Sequence, residues 1–300
     1  MPVEPHSPVL SYFPIVIPAP GRPVDLEVRV TAPAAGTDLP IILLSHGHGM
    51  SNHLSSLYGY APLADLWASL GFVVLQPTHL SSATLRARVA DEPGEPYFWQ
   101  SGARDLTRLI DALDLIEQSV PGLAGRLDRD RIAVAGHSLG GLTASLALGA
   151  RIDEVDLREP RIRCGVLFGA PGRGDVLNGP MAELVEFTRS LDFSTMITAA
   201  LVVAGDKDDS QHFTDVGPDW HADPYRLAPG PKTLLTVFGA GHLFGGISGY
   251  DAAETTDENP ALVAALGRLT AAYLRTGLAG TDDWATARTE HADAGEVEQK

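Results

Sequence analysis

Residues 132–142 read Ile-Ala-Val-Ala-Gly-His-Ser-Leu-Gly-Gly-Leu: four strand-forming apolar residues, one serine between glycines, then small residues suited to a helix. A Gly-x-Ser-x-Gly pentapeptide between a buried strand and a helix presents its serine at the tip of a sharp, strained turn. The spacing follows from sterics. Strand and helix nearly touch at such a turn, so Gly136 and Gly140 remove the Cβ atoms that would collide there. The turn exposes the Ser138 hydroxyl, a candidate nucleophile, and aims the next backbone N–H, that of Leu139, toward the same point.

The rest of the chain alternates between two periodicities. Strands are predicted at 13–17, 25–31, 41–44, 72–75, 132–135, 164–168, 200–204 and 233–238, several of them continuous apolar runs suited to burial on both faces. Helices are predicted at 61–70 and 104–120, after the serine, and from Asn259-Pro260 to about Leu274. In the second, Leu106, Leu109, Ile110, Leu113 and Ile116 share one face. The last opens on a cap residue followed by proline at the first helical position. This alternation predicts an α/β class chain with a mostly parallel central sheet and helices on both faces, as one domain over 1–279. Two long irregular stretches, 77–100 and 171–195, are candidate lid or wall segments. The segment 280–300 carries Asp282, Asp283, Glu290, Asp293, Glu296 and Glu298 with few apolar anchors, and is expected to be an acidic, mobile tail.

Composition excludes several classes. The 300 residues carry a formal charge of −16, which disfavours nucleic acid and anionic membrane surfaces as partners. No apolar run approaches the ~18 residues of a spanning helix, so no membrane span is expected. The single cysteine, Cys164, cannot form an intrachain disulfide and sits in a predicted core strand. With no basic, apolar leader recognisable at the N-terminus, a cytoplasmic location is expected.

A serine hydroxyl needs a base to take its proton and a third group to orient that base. Downstream of Ser138, the apolar run 201–204 leads into Gly205-Asp206-Lys207-Asp208-Asp209, where three carboxylates compete for the orienting role. Of ten histidines, His212, His221, His242 and His291 follow this turn, and only His242 leaves a strong strand directly through small residues. His212 and His221 fall in an irregular segment and His291 in the acidic tail. His46 and His48 lie close together without further clustered ligands, so no metal site is expected, and His46 reads as a residue bracing its loop.

Three landmarks, Ser-His-Gly-His-Gly at 45–49, Gly-His-Ser-Leu-Gly-Gly at 136–141 and Gly-Ala-Gly-His at 239–242, make the chain resemble the α/β-hydrolase superfamily over roughly 25–278. Residues 45–51, Trp-Ala-Ser-Leu-Gly-Phe-Val-Val at 67–74 and Arg104-Asp105 look like the branch of platelet-activating-factor acetylhydrolase-like, chlorophyllase-like and cutinase-type serine esterases. The chain departs from that branch at Gln76-Pro77-Thr78-His79, where many relatives carry an aspartate and a proline-glycine turn. The resemblance implies an α/β-hydrolase fold and a Ser138–Asp208–His242 triad. Within it the third position after the strand's glycine bears the acid, leaving Asp206 to stabilise the turn and Asp209 to solvent. It also implies an oxyanion hole from the backbone N–H groups of His48 and Leu139.

The expected activity is hydrolysis of carboxylic esters with short-to-medium acyl chains, through an acyl-serine and without a cofactor. The partner is then a small-molecule ester. Trp99, Trp220 and Phe244, with Tyr97 and Phe98, are candidate substrate-binding residues. Amide or peptide hydrolysis, or perhydrolysis, would use the same triad. A non-catalytic binding module would be expected to lack one of its members.

Overall fold

The computed structural model describes residues 7–49 and 51–300. Residues 1–6 and Met50, the latter inside the 45–51 motif, lie outside the described residues. The chain runs β1 (Val9–Ile17), β2 (Leu26–Pro33), β3 (Leu39–Ser45), α1 (Ala61–Ser69), β4 (Val73–Pro77), α2 (Trp99–Asp111), α3 (Leu113–Ser119), β5 (Leu127–His137) and α4 (Leu139–Ala147). It continues through a two-residue-per-strand hairpin, β6 (Arg151–Ile152) and β7 (Val155–Asp156), then β8 (Ile162–Phe168), β9 (Ala199–Gly205), α5 (Asp223–Leu227), β10 (Lys232–Val237), α6 (Pro260–Ala279), α7 (Asp283–Glu290) and β11 (Gly295–Gln299).

The main sheet has nine strands in the order β1-β2-β4-β3-β5-β8-β9-β10-β11. Strands β4, β3, β5, β8, β9 and β10 run parallel, and antiparallel strands close both ends. The period-2 alternation of side chains divides each central strand between two cores. Ile41, Leu43, Val134 and Val202 point into one, with Leu106, Leu109, Leu113, Ile116 and Leu142 from α2, α3 and α4. Ile42, Leu44, Ala133, Leu201 and Val203 point into the other, with Trp67 of α1 and Leu266 and Leu269 of α6. The protein is therefore α/β with both sheet faces covered. Among the described residues no helix is long and apolar enough to cross a membrane.

Two readings from the sequence need correction. The stretch 104–120 is two helices that part at Ala112 (φ −97°, ψ 10°). The kink keeps the whole apolar stripe, Leu106 to Ile116, on one core. Residues 280–300 are not a loose tail. Gly280 (φ 69°) ends α6, α7 folds Trp284 edge-on against Tyr273 at 5.5 Å, and β11 pairs with β10 from Gly295 to Gln299. The reason is that β10 would otherwise leave an unpaired sheet edge. A strand can pair through its backbone while its acids, here Glu296 and Glu298, stay in water. Composition alone underrates such a segment.

The two irregular stretches meet. Residues 77–100 pack Leu80, Leu85 and Val89 against Phe98, and end in a short turn at Pro96–Phe98. Residues 171–195 contain the 3₁₀ turns Gly174–Val176 and Ala182–Ser190. Phe187 of the second stretch stacks on Trp99 (6.5 Å between centroids, 10° between planes) and lies 6.1 Å from Tyr97.

Candidate functional site

The site is assembled where parallel strands end, as open α/β sheets favour. Ser138 stands between β5 and α4 with φ 56° and ψ −121°, a conformation few non-glycine residues adopt, and which typically costs on the order of 1–3 kcal/mol. A Cβ on Gly136 would collide with the Gly140 carbonyl, and one on Gly140 with the Ser45 carbonyl. Both glycines are therefore needed for strand, helix and the 45–49 loop to close on one another. The turn is held by Ser138 N–H donating to Phe168 O at 2.9 Å. The N–H of Leu139 opens α4 and so has no intrahelical acceptor.

Asp208 and His242 leave the ends of β9 and β10. His242 Nδ1 lies 2.7 Å from Asp208 Oδ2, with the Asp208 side chain 2% exposed and His242 33% exposed. A carboxylate only accepts, so Nδ1 carries the proton and the Nε2 lone pair is left free as a base. Burial alone would raise the Asp208 carboxyl, but the adjoining His221 and His242 side chains more than offset it and hold the group well below the usual carboxylate range. Asp206 Oδ1 instead accepts from Gly239 N–H at 2.7 Å, tying the two strand ends together, while Asp209 is exposed. Gly169 (φ 49°) lets the chain after β8 pass against the pair: a Cβ there would lie 3.2 Å from both Asp208 Oδ2 and His242 Nδ1. Among the described residues, no hydrogen bond joins Ser138 Oγ to His242.

A continuous donor–acceptor chain links the 45–49 loop to His242. Gly47 N–H donates to Tyr60 Oη (2.9 Å), and Tyr60 O–H to His137 Nδ1 (2.8 Å). His137 Nε2–H then donates to the His242 carbonyl (2.8 Å). This pattern needs a neutral His137, and burial, reinforced by nearby His242, lowers it to about 3. A second network braces the same loop. Ser45 O–H donates to His79 Nε2 (2.9 Å) and His79 Nδ1–H to Asp105 Oδ2 (3.0 Å), with all three side chains buried. These are the atoms of a Ser–His–Asp triad with no face open to a substrate, so the arrangement is structural. His46 accepts from His79 N–H at Nε2 (3.1 Å) and donates from Nδ1 to Gly47 O (2.8 Å). Both ring nitrogens are thereby occupied, and no lone pair remains for a metal. Burial and His79 lower His46 to about 3 as well.

These two histidines set an acid sensitivity. Unfolded, each takes up a proton near pH 6.5; folded, not until about 3. Their contribution to stability is complete above about pH 6.5 and is lost as pH falls toward 3, on the order of 1 kcal/mol per pH unit for each. Melting temperature is expected to drop steadily between pH 7 and 4. A flat profile across that range would show that one or both are charged in the folded protein.

His48 is exposed, with Nδ1 3.1 Å from Ser81 O and its ring edge-on to Tyr97 at 4.9 Å. Its backbone N–H has no acceptor among the described residues. The proposed aromatic contacts fare unevenly. Phe244 is fully buried against His137 and Phe168, and Trp220 is 2% exposed with Nε1–H donating to Arg173 O, so neither faces a substrate. Their hydrophobicity placed them in the interior, a distinction that irregular chain segments do not reveal. Trp99 is largely buried too, and its neighbours Tyr97 and Phe187, both half-buried, form the aromatic face beside His48.

Sequence reasoning passed over His221. It lies in the turn Gly217–Ala222 and reaches the same Asp208 oxygen as His242, with Nε2 3.2 Å from Oδ2. No periodic signal marks it. Asp208, His221 and His242 together have the donor set of a metal site. However, the 2.7 Å contact between Asp208 and His242 is a hydrogen-bond length, shorter than the roughly 3.3 Å between two ligands of a tetrahedral zinc. Comparisons with protein-family models and with curated protein sequences return no match to this chain.

Proposed function

We propose that the chain is a serine hydrolase with an α/β-hydrolase fold that cleaves carboxylic esters through an acyl-serine. The observation that carries this reading is the strained Ser138 at the β5–α4 turn, beside a buried Asp208 whose partner His242 keeps Nε2 free. Ser138 Oγ attacks the ester carbonyl carbon while its proton passes to His242 Nε2. The resulting oxyanion accepts hydrogen bonds from the N–H groups of Leu139 and His48. The imidazolium then protonates the departing alkoxide, releasing the alcohol. Water enters by the reverse proton path and frees the acid.

The wall formed by Tyr97 and Phe187 beside His48 supports short-to-medium acyl chains. A restricted apolar pocket discriminates by about 1–3 kcal/mol per methylene. On p-nitrophenyl esters, kcat/KM is expected to peak between acetate and hexanoate and to fall well before palmitate, with EDTA without effect. Absence of turnover on every ester would overturn the reading, and a maximum at palmitate would show that the wall does not limit the acyl chain.

A further inference from the structure

We propose that His221 is a second positioning residue on Asp208, beside His242, with protons on both its ring nitrogens, so that one carboxylate serves two histidines. The inference rests on the serine-hydrolase reading above, and deepens it.

The geometry leaves little choice. His221 Nδ1 lies 2.9 Å from Ala170 O, an acceptor only, so Nδ1 must donate. His221 Nε2 lies 2.7 Å from Ser210 Oγ, and Ser210 Oγ lies 3.1 Å from Asp208 Oδ1. If Nε2 carries no proton, Ser210 must donate to it. The Ser210 oxygen then faces Oδ1, and the Nε2 lone pair faces Oδ2 at 3.2 Å. Two acceptor–acceptor contacts would fall on a carboxylate that is 2% exposed. With both nitrogens protonated, Nε2–H donates to Ser210 Oγ, Ser210 O–H to Oδ1, and His242 Nδ1–H to Oδ2. Every contact is then satisfied, and the buried carboxylate has a buried cation beside it.

The other charged groups around His221 do not compete for this role. His242 is the partner on Asp208, with its ring 5.6 Å from that of His221. His137, beyond it, is neutral. Asp223, two residues on, is turned to Arg173, whose N–H donates to its Oδ2 at 3.1 Å. Ser210 holds His221 on the Asp208 side, and Trp220 packs edge-on to its ring at 5.1 Å.

A cation on Asp208 weakens the carboxylate's pull on the imidazolium that forms at His242. The base therefore stays neutral, and the enzyme active, to lower pH than with a bare aspartate. His221→Gln keeps a donor of similar reach and removes the charge. It is expected to move the acid limb of the kcat/KM–pH profile upward by about one unit, with a smaller effect on the plateau. A lowered plateau with an unmoved acid limb would overturn the proposal, because a residue that merely packs would produce it. A second measurement does not need turnover. In a long-range ¹H–¹⁵N spectrum of the full wild-type chain at pH 7, both His221 nitrogens are expected to be protonated. An unprotonated Nε2 would overturn the proposal even if esters are hydrolysed, whereas a protonated one in a protein inert to esters would sustain the cluster and sink only the esterase reading.

Discussion

Replacing Ser138 with alanine is expected to leave the fold intact and to lower kcat on p-nitrophenyl acetate by on the order of 10⁴-fold or more. Alanine keeps the Cβ that the turn already accommodates at φ 56°, and Ser138 Oγ makes no hydrogen bond within the described residues, so the substitution removes reactivity and little else. The backbone N–H groups of His48 and Leu139 would remain, and a residual rate above that in water is expected from them. A fluorophosphonate probe should label the wild-type chain at one site and the variant not at all. Turnover near wild type, or labelling elsewhere, would remove Ser138 from the chemistry.

Asp208→Asn should cost ~10³–10⁴ in kcat while the protein stays folded. An amide can offer His242 a donor where the carboxylate offered only acceptors. The ring can then adopt the tautomer with its proton on Nε2 and lose the base that must face Ser138. The neighbours provide the controls. Asp206→Ala removes the acceptor of Gly239 N–H and should lower the melting temperature with kcat nearly unchanged. Asp209→Asn, in an exposed side chain, should be silent. If kinetic damage instead tracked Asp206 or Asp209, the orienting role would move with it.

The elements that position these residues were legible for separate reasons. The strands ending at Ser45, His137, Phe168 and Gly205 each carry an apolar run, Ile41–Leu44, Ile132–Ala135, Val166–Phe168 and Ala200–Ala204, suited to burial on both faces. Asn259 was readable as a cap because proline follows it at the first helical position, and its side chain accepts from Leu262 N–H at 3.1 Å. The kink at Ala112 was not legible: no proline or glycine marks it, and it serves the packing of both halves on a shared core. The ordering of 280–300 was not legible either, because its stability comes from an edge that another segment, β10, presents.

The sequence by itself determined the alternation of strands and helices, the sharp turn at Ser138, and the order of serine, carboxylate and histidine along the chain. Those features are local: they depend on side-chain period, on where a Cβ fits, and on a few consecutive residues. Only the tertiary structure decided which polar groups share a proton. Tyr60 meets His137 across 77 positions, His79 meets Asp105 across 26, and His221 meets Ser210 across 11. The members of each pair lie on different elements or loops, so no helical or strand period links them. They exist because a buried donor or acceptor must find a partner, and the partner is whatever the folded sheet places within about 3 Å. Tertiary structure likewise sent Trp220 and Phe244 inward and left Tyr97 and Phe187 beside His48, a choice made by competition for interior space among side chains of similar hydrophobicity.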